Sequence, residues 1–377
     1  MKKILFNNIY NSVNYTKNIE YLFSDYELFR KKHFSKLCIA ELSKTYLNAN
    51  LLLTHSATGA LEIIATLMNL KSGDEIIMPS FTFVSTANAF VSKGATPVFI
   101  DINEIDLNID CDLIEQAITP KTKAIVAVHY AGYPCDINRM KDICTKHNLL
   151  FIEDAAMGFG NSYNGKALGI HGDFGVVSFD ITKQISAVQG GLLIINNKDY
   201  LVRAQNIYHL GTNRTEFEHK SAPYYEWVDY GSKYQMNELN AAVLIEQLKN
   251  ENEILKYRNN LSNLYYKNLL DLENNQYIKI LNTKLNIENV HEFFIILKSE
   301  QDRNELCNYL GSYQIESLFH YIPLHNSKFG INICKYFGGE NTVKVSQQIL
   351  RLPLHSELKR EDVEFVTNKI KDFFNGK

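Results

Sequence analysis

The chain has 377 residues, of which 45% are hydrophobic, so it can form two domains and bury a substantial core. Its 39 basic and 42 acidic residues nearly cancel, and no run of like charge stands out beyond Arg30-Lys31-Lys32. This balance argues against a nucleic-acid-binding surface, which usually carries a basic patch.

The six cysteines lie at positions 38, 111, 135, 144, 307 and 334, and none of them forms a C-x-x-C pair. We therefore expect neither a metal site nor a disulfide framework. No stretch of about 18 apolar residues is present, and the N-terminus lacks the apolar region of a signal peptide. These features predict a cytoplasmic protein without a membrane partner.

Short apolar runs alternate with amphipathic segments through the first two thirds of the chain. This alternation predicts an α/β fold with a mainly parallel sheet and right-handed crossovers. The predicted strands are Glu75–Pro79, Pro97–Asp101, Ala124–Val128, Leu149–Ile152 and Val176–Phe179, and one predicted helix is Asp136–His147.

Several predicted strands are followed directly by polar side chains, namely Asp101, His129, Asp154 and Asp180. In open α/β sheets the ligand crevice lies beyond the carboxyl ends of the strands. We therefore expect a site built from these ends.

The pattern changes after about residue 237. Ala241, Leu244, Ile245 and Leu248 follow helical spacing, with Asn237 as N-cap, and this helix is predicted to extend past Tyr257. A strand is predicted at His291–Leu297. We predict a large domain over residues 1–250 and a smaller C-terminal domain over residues 251–377.

A small-residue turn, Thr54–Leu61, precedes an apolar helix that is predicted over Leu61–Leu70. A helix N-terminus offers free N–H groups and a positive dipole end, which suit a phosphate. The same pattern also fits an ordinary Ser/Thr cap. The glycine motifs of dinucleotide-binding and P-loop proteins are absent from the sequence.

The apolar run Phe151-Ile152 delivers an acid, Asp154, to the end of its strand. A carboxylate that faces a pyridine nitrogen keeps that nitrogen protonated, so that the ring acts as an electron sink. The alternative interpretation is a cap for the next helix.

A lysine, Lys183, lies five residues after Ser178 and shortly before Gly190-Gly191. Partial burial lowers the pKa of an amine and makes it a nucleophile and a general base, while a glycine pair lets the backbone pass close to a ligand. Taken alone, the residue also fits a surface lysine.

In this order and spacing, the three elements resemble the DegT/DnrJ/EryC1/StrS family of pyridoxal-phosphate-dependent sugar aminotransferases. Within it, the sequence is most similar to the dTDP-4-amino-4,6-dideoxygalactose transaminases. The resemblance covers roughly residues 50 to 360 and is carried by the stretches Gly73–Phe90, Val128–Gly132, Gly211–Arg214 and Phe319–His325. It implies fold type I (aspartate aminotransferase-like), with a seven-stranded, mainly parallel sheet in the large domain and a smaller α/β C-terminal domain.

The resemblance also implies residue roles around the cofactor, pyridoxal 5′-phosphate. Lys183 would hold it covalently and move the proton during catalysis, and Asp154 would pair with the pyridinium nitrogen. Phe83 would stack on the ring, which suits an aromatic face. The phosphate would be held by Ala57, Thr58 and Ser178.

A homodimer with shared active sites is implied as well, in which Lys233 or Gln235 completes the partner's phosphate site. The residues implied for the substrate are Thr212, Asn213, Arg214, His320 and Tyr321.

The sequence departs from the family pattern near the cofactor. Met157 stands where a Gln or His commonly bonds the cofactor's phenolic oxygen, and Gln184 replaces an Asn that often follows the lysine. Val188-Gln189 precedes Gly190-Gly191 in place of a Gly-Glu pair. Residues Ser24–Phe34 replace a glycine-rich segment.

The activity that the resemblance implies is amination at C4 of a nucleotide-linked, dTDP-type 4-keto-6-deoxyhexose, with L-glutamate as amino donor. The product would serve O-antigen (lipopolysaccharide) or other surface polysaccharide biosynthesis. The alternatives are amination at C3 and a non-catalytic cofactor-binding homologue. Dehydrating relatives replace the lysine by histidine, so Lys183 argues against that reaction.

Overall fold

An eight-stranded sheet lies at the centre of the protein. The computed structural model describes residues 3–281 and 287–376. Its strands are β1 (Asn50–Thr54), β2 (Glu75–Pro79), β3 (Thr96–Ile100), β4 (Thr122–Val128), β5 (Leu150–Asp154), β6 (Ser162–Tyr163), β7 (Lys166–Ala167), β8 (Phe174–Ser178), β9 (Gly191–Ile195), β10 (Phe293–Ile296), β11 (Lys335–Phe337) and β12 (Ile349–Leu352).

The helices cover both faces of the sheet and build most of the C-terminal part. They are α1 (Asn14–Ser24), α2 (Tyr26–Arg30), α3 (His33–Thr45), α4 (Ala57–Leu67), α5 (Val84–Val91), α6 (Cys111–Ala117), α7 (Ile137–His147), α8 (Leu201–Tyr208), α9 (Arg214–Glu218), α10 (Glu238–Lys249), α11 (Glu251–Asn274), α12 (Glu300–Ser312), α13 (Asn341–Gln348) and α14 (Arg360–Asn375). None of the described helices is long and apolar enough to cross a membrane.

The strand order in the main sheet is β1-β9-β8-β5-β4-β2-β3-β11. Strands β8, β5, β4, β2, β3 and β11 run parallel, and β9 runs antiparallel to both of its neighbours. The mainly parallel sheet is therefore confirmed. Residues of β2, β8 and β9 are buried throughout, as expected for strands covered by helices on both faces.

The predicted number of seven strands is wrong, because the C-terminal part contributes an eighth strand, β11, at the edge beside β3. Lys335 lies opposite Val98, and Phe337 lies opposite Ile100. The strand has only three residues and is followed by Gly338-Gly339, so its apolar pattern is too short to be recognised in the sequence.

Two acidic residues attach this C-terminal segment to the sheet. Lys335 Nζ lies 2.5 Å from Glu75 Oε1. The Asp101 carboxylate accepts the backbone N–H groups of Thr342 at 2.7 Å and Asn341 at 3.1 Å. Asp101 therefore caps α13, whereas the sequence led us to expect it at the ligand crevice.

The helix that was predicted to extend past Tyr257 is instead two helices. Asn237 caps α10 through a 2.9 Å bond from Asn240 N, as predicted. The helix ends at Lys249, the side-chain amide of its C-cap Asn250 donates to Glu246 O at 2.8 Å, and α11 begins at Glu251. Asparagine side chains compete for backbone hydrogen bonds in this way and interrupt helices.

The C-terminal part has a hydrophobic core of its own. It is formed by α11, α12, α14, β10 and β12, and by Ile4 from the N-terminal segment. Tyr265 of α11 stacks on Phe293 of β10, with ring centroids 4.9 Å apart. This separate core is compatible with a domain division near residues 250 and 251, which stays a prediction.

Candidate active site

A cleft of about 500 Å³ lies beyond the carboxyl ends of β8, β5, β4 and β2, between the main sheet and the C-terminal part. His129, Asp154 and Asp180, three of the four polar residues that follow predicted strands, line it. The expected position of the site is therefore the position of a large cleft, as the topology of parallel sheets requires.

The first turn of α4 forms one end of the cleft. Ser56 Oγ accepts the N–H of Gly59 at 3.0 Å, and Thr58 Oγ1 donates to Ser85 Oγ at 2.8 Å. Ala57 and Thr58 line the cleft, and N–H groups in a first turn have no acceptor within their own helix. This end of the cleft is therefore suited to an anion.

Gly191, in the glycine pair after Lys183, lies against the first turn of α4. A Cβ atom at Gly191 would lie 2.3 Å from the backbone N of Ala57. Only glycine therefore lets β9 pass this close to the turn. At this position the close approach is to the protein's own backbone, whereas the sequence suggested an approach to a ligand.

Asp154 ends β5 with its carboxylate held in place by two hydrogen bonds. Thr86 Oγ1 donates to Oδ2 at 2.7 Å, and Ala156 N donates to Oδ1 at 3.1 Å. Thr86 is fixed in turn by Thr82, 3.0 Å away. Thr82 lies just before α5 and Thr86 in its first turn, and no motif in the sequence marked them.

The preceding residue, Glu153, has a different environment on the other side of the strand. Its carboxylate accepts backbone N–H groups from Gly169, His171 and Gly172 at 2.6–3.0 Å and a bond from His129 Nε2 at 3.1 Å. Burial opposes its charge, but these bonds outweigh burial, and the pKa of Glu153 lies below its usual value. Glu153 therefore fixes a loop, whereas Asp154 faces the cleft.

Lys183 lies in the loop after β8, and its side chain lines the cleft. Its backbone N–H donates to Asp180 O at 3.0 Å, and the Asp180 carboxylate accepts the N–H of Thr182 at 3.1 Å. Desolvation lowers the pKa of Lys183 below its usual value, although Asp154 and Glu292 oppose this shift. A larger fraction of the amine is therefore neutral than in a free lysine.

Aromatic rings line the opposite side of the cleft. Phe83 has 56% of its surface exposed, and its ring centroid lies 6.3 Å from that of Tyr321. The His320 ring lies 4.1 Å from the Tyr321 ring. Burial, with Arg351 and Lys183 nearby, lowers the pKa of His320 to about 2, so its imidazole is neutral. An exposed phenyl ring inside a cleft suits a flat heterocycle.

Met157 also lines the cleft and is buried in an apolar cluster that includes Phe81, Tyr130 and Phe294. Its thioether offers only a weak acceptor. Asn88, whose side-chain amide could otherwise donate to the cofactor's oxygen, is exposed on α5 and does not belong to the cleft lining.

Three charged or titratable residues of the C-terminal part line the cleft and were missed by the sequence analysis: His291, Glu292 and Arg351. Arg351 Nη2 is paired with Glu292 Oε2. His291 Nδ1 lies 3.0 Å from Gln184 Oε1, so the residue after the lysine contacts this group. The only signals in the sequence are polar residues at the edge of, or within, apolar runs.

Five residues expected at the site lie outside the cleft lining of this subunit. Arg214 pairs with Glu218, and Thr212 and Asn213 bond backbone atoms of nearby residues. Gln235 Nε2 bonds His209 Nδ1, and Lys233 is exposed. Ala57, Thr58, Phe83, Asp154, Met157, Ser178, Lys183, His320 and Tyr321 are brought together in the cleft.

The cleft fits pyridoxal phosphate in three respects. It has a helix N-terminus with hydroxyl groups for the phosphate, a fixed carboxylate for the ring nitrogen, and a lysine of lowered pKa for the aldehyde. Bound there, the cofactor supplies an electron sink for the carbon that carries the amino group.

Comparison with known proteins agrees with this chemistry. Residues 39–371 match the model of the DegT/DnrJ/EryC1/StrS aminotransferase family. An uncharacterized protein of Methanocaldococcus jannaschii is 30% identical over 88% of each chain. GDP-perosamine synthase of Escherichia coli O157:H7 is 28% identical over 85% of each chain.

Solved structures show the same fold. Helicobacter pylori PseC, an aminotransferase involved in the biosynthesis of pseudoaminic acid, superposes with a TM-score of 0.90 at 23% identity over 100% of each chain. The PLP-form of a putative sugar aminotransferase of Streptococcus pneumoniae has a TM-score of 0.84 at 24% identity over 98% of each chain. The chain therefore belongs to the DegT/DnrJ/EryC1/StrS aminotransferase family and is a nucleotide-sugar aminotransferase that uses pyridoxal phosphate.

Proposed function

We propose that this enzyme transfers the amino group of L-glutamate to C4 of a dTDP-linked 4-keto-6-deoxyhexose, giving a 4-amino-4,6-dideoxy sugar for O-antigen or another surface polysaccharide. The observation that carries the proposal is that Lys183 and Asp154 line one cleft together with the first turn of α4 and an aromatic wall. The preference for C4 and for dTDP rests on the resemblance of Gly73–Phe90 and Phe319–His325 to such transaminases.

Lys183 would hold the cofactor as a nucleophile and would also serve as the base at the reacting carbon. Its lowered pKa leaves more of the amine neutral near physiological pH, and only the neutral amine attacks or accepts a proton. With the cofactor bound, Nζ would be placed to take the proton from the α-carbon of the donor. This is general acid–base catalysis by a positioned side chain.

Asp154 would pair with the cofactor's ring nitrogen, and Thr86 and Ala156 fix the orientation of its carboxylate. Phe83 would stack on the ring. Ala57, Thr58 and Ser178 would bind the phosphate. Because these groups sit on strand ends and on a helix terminus, the protein positions them before any ligand enters, and this preorganisation favours the reaction.

The keto sugar lies against His320 and Tyr321 in this proposal. Burial raises the pKa of the Tyr321 phenol, so it stays protonated and can donate a hydrogen bond. The neutral His320 can accept one. The aromatic face of Tyr321 contacts the apolar face of the sugar ring.

A homodimer with shared sites is part of the proposal. Aromatic side chains are exposed in the segment before the residues expected to reach the partner: Tyr224, Tyr225, Trp227 and Tyr230. Exposed aromatic side chains are enriched at interfaces between subunits. Since Gln235 is bonded to His209 within the chain, we favour the exposed Lys233 as the residue that completes the partner's phosphate site.

The test is a substrate panel with the purified holoenzyme and L-glutamate. dTDP-, UDP- and GDP-linked 4-keto and 3-keto 6-deoxyhexoses are supplied separately, and the products are identified by mass spectrometry and NMR. We expect turnover with the dTDP-linked 4-keto sugar and an amino group at C4. Faster turnover with a 3-keto sugar or another nucleotide would replace that assignment, and no turnover with any of them would point to a non-catalytic homologue.

A further inference from the structure

The proposed reaction needs two different substrates in one cleft, and this inference rests on that proposed function. The nucleotide sugar carries its charges on a diphosphate far from the reacting carbon. The amino donor, L-glutamate, carries its α-carboxylate on the reacting carbon itself. A carboxylate that leaves water for a narrow cleft needs a charged hydrogen-bond donor close to the lysine.

Two fixed cations belong to the described lining of the cleft, Lys183 and Arg351. Lys183 is used for the cofactor and then as the base. Both cations line the cleft together with His291 and His320, and both add to the effect of burial in lowering the pKa of these two imidazoles. Arg351 is therefore the remaining fixed positive charge in the described lining.

The guanidinium group of Arg351 is fixed but still has donors to offer. Its side chain is 11% exposed and pairs with Glu292 through Nη2. Its Nε is buried and has no hydrogen-bond partner within the described part of the chain. A guanidinium has five N–H donors in a planar fork, so the pair with Glu292 leaves most of them for a second carboxylate.

Phe6 covers this group from the N-terminal side. The guanidinium carbon lies 4.8 Å from the centroid of the Phe6 ring, and Phe6 itself lines the cleft. The segment around it is tied on both sides: Phe6 N donates to Glu316 Oε2 at 2.8 Å, and Asn7 Nδ2 donates to Ile181 O at 2.7 Å. Excluding water in this way strengthens a charge–charge contact.

We propose that Arg351, held by Glu292 and covered by Phe6, binds the α-carboxylate of the amino donor. The keto sugar carries no carboxylate at the carbon to be aminated, so it has no charged group there for Arg351 to bind. Arg351 thereby contributes more to the half-reaction with the amino donor than to the half-reaction with the keto sugar. It also selects α-amino acids over simple amines.

The experiment measures the two half-reactions separately with the holoenzyme. The bound cofactor's visible band reports the reaction with L-glutamate, and a rapid-quench assay reports amination of the keto sugar. The variants are Arg351→Gln, Arg351→Lys and the matched control Arg360→Gln. Arg360 also pairs with a carboxylate in the C-terminal part but lies on the exposed surface of α14.

We expect Arg351→Gln to raise the half-saturating concentration of L-glutamate at least about 30-fold, since hydrogen bonds between charged groups are the strong ones. The half-saturating glutamate concentration of Arg351→Lys should lie between those of the parent and Arg351→Gln, because lysine keeps the charge but lacks the planar pair of donors. In Arg351→Gln, the rate of the half-reaction with glutamate should fall about tenfold more than the rate of the half-reaction with the keto sugar. Arg360→Gln should match the parent.

The donor itself can be varied in the same assay. 4-Aminobutyrate is glutamate without its α-carboxylate, and L-glutamine lacks the charge of the side-chain carboxylate. Arg351→Gln should lose the parent's preference for glutamate over 4-aminobutyrate and keep its preference over glutamine. The reverse pattern would overturn the assignment to the α-carboxylate.

A binding measurement without turnover completes the test. Glutarate has both carboxylates but no amine, so calorimetry on the holoenzyme reports its Kd directly. We expect weaker binding by Arg351→Gln and unchanged binding by Arg360→Gln. Unchanged glutarate binding and glutamate half-saturation, with only a lower melting temperature, would make Arg351 a structural residue. A parent enzyme that fails to react with glutamate would overturn the proposed function, and this inference with it.

Discussion

The floor and the C-terminal wall of the cleft use charge in different ways. The floor consists of the turn at Ser56–Thr58, the end of β5 at Asp154 and the loop Ser178–Lys183. The wall consists of His291, Glu292, His320, Tyr321 and Arg351. Charged groups of the floor are fixed by hydrogen bonds to hydroxyl and backbone groups, as Asp154 is by Thr86 and Ala156.

Charges of the wall instead compensate one another. Arg351 pairs with Glu292, and Arg258 behind it donates to the carbonyl groups of His291 and Leu354. Burial lowers the pKa of Arg258 to about 10, although Glu292 opposes the shift. Removing one member of such a cluster leaves its partner buried and uncompensated. The floor is therefore suited to fixed chemistry, whereas the wall is suited to recognising charged substrates.

The largest expected effect comes from the floor. Lys183→Ala should abolish turnover and the visible band of the bound cofactor, because no other lysine lies in the described cleft lining. Lys141→Ala, an exposed lysine on α7, is the matched control and should behave as the parent. Absorbance spectra and steady-state rates of the two variants are compared with those of the parent. A Lys183→Ala enzyme that stays coloured and active would show that another amine is the nucleophile.

The pH dependence of cofactor uptake tests the lowered pKa of Lys183. Because desolvation lowers the pKa of Lys183, its neutral form is lost at a lower pH than in a free lysine. The rate at which the apoenzyme takes up cofactor should therefore stay high as the pH falls below the usual value of about 10.4. Stopped-flow absorbance across pH measures the midpoint. A midpoint near that of free lysine would contradict the effect of burial.

Asp154 and its neighbour Glu153 separate catalysis from stability on one strand. Asp154→Asn should fold and lose at least about 100-fold in rate, because the electron sink weakens. Glu153→Gln should instead lower the melting temperature, because four hydrogen bonds end on its carboxylate. Steady-state rates and thermal melts of both variants test these two expectations. A near-normal rate for Asp154→Asn would mean that another group protonates the ring.

The shared site can be tested by complementation. Lys183→Ala and Lys233→Ala, each inactive or weak alone, should regain about a quarter of parental activity when mixed, since half of the random dimers carry one intact site. Subunit exchange is verified separately with tagged chains. Exchange without recovered activity would show that Lys233 does not serve the partner, and Gln235→Ala then repeats the test for the other candidate.

The attachment of the wall to the sheet has a stability effect. Burial opposes charge on Asp101, but its bonds from Thr342, Asn341 and Ile102 outweigh burial and lower its pKa. Its contribution is therefore present above the unfolded pKa of about 3.9 and is lost as the pH falls through the lowered folded value. Asp101→Asn should cost about 1–3 kcal/mol at pH 7.

Urea unfolding at several pH values measures that cost. The difference between Asp101→Asn and the parent should narrow toward acid pH, where Asp101 itself becomes neutral. Asp142→Asn, an exposed residue of α7, is the control and should stay within about 0.5 kcal/mol of the parent at every pH. A difference that does not change with pH would show that the charge of Asp101 is irrelevant.

The floor could be predicted from the sequence because its parts are contiguous. Each is a strand end or a helix start, marked by an apolar run and one polar residue, as at Asp154. The expectation for β2, β4 and β5 succeeded for the same reason, since long apolar runs identify buried strands.

The wall could not be predicted from local patterns: His320 and Tyr321 were expected only from the family resemblance, and His291, Glu292 and Arg351 were missed. Arg351 joins the cleft because β12 pairs with β10, where it lies opposite Phe294, and residues this distant carry no common local pattern. Phe6 is held at the cleft by its own bond to Glu316, 310 residues away, and by the bond from the neighbouring Asn7 to Ile181, 174 residues away. Only tertiary packing brings such residues together, so the sequence offered single polar residues without partners.

The smallest effect is expected at Met157, where floor and wall meet. It lies in one buried apolar cluster with Phe81, Tyr130 and Phe294, and it cannot donate a hydrogen bond to the cofactor's phenolic oxygen as Gln or His would. One neutral hydrogen bond is worth only about 0.5–1.5 kcal/mol, and Lys183 and Asp154 carry the larger electrostatic contributions. Met157→Gln should therefore stay within about tenfold of the parental rate and shift the pH titration of the visible band. Met157→Leu keeps the apolar contact without the sulfur, so it should leave that titration in place. If Met157→Gln creates activity that the parent lacks, the natural chain is a non-catalytic homologue, and the missing hydrogen bond is the reason.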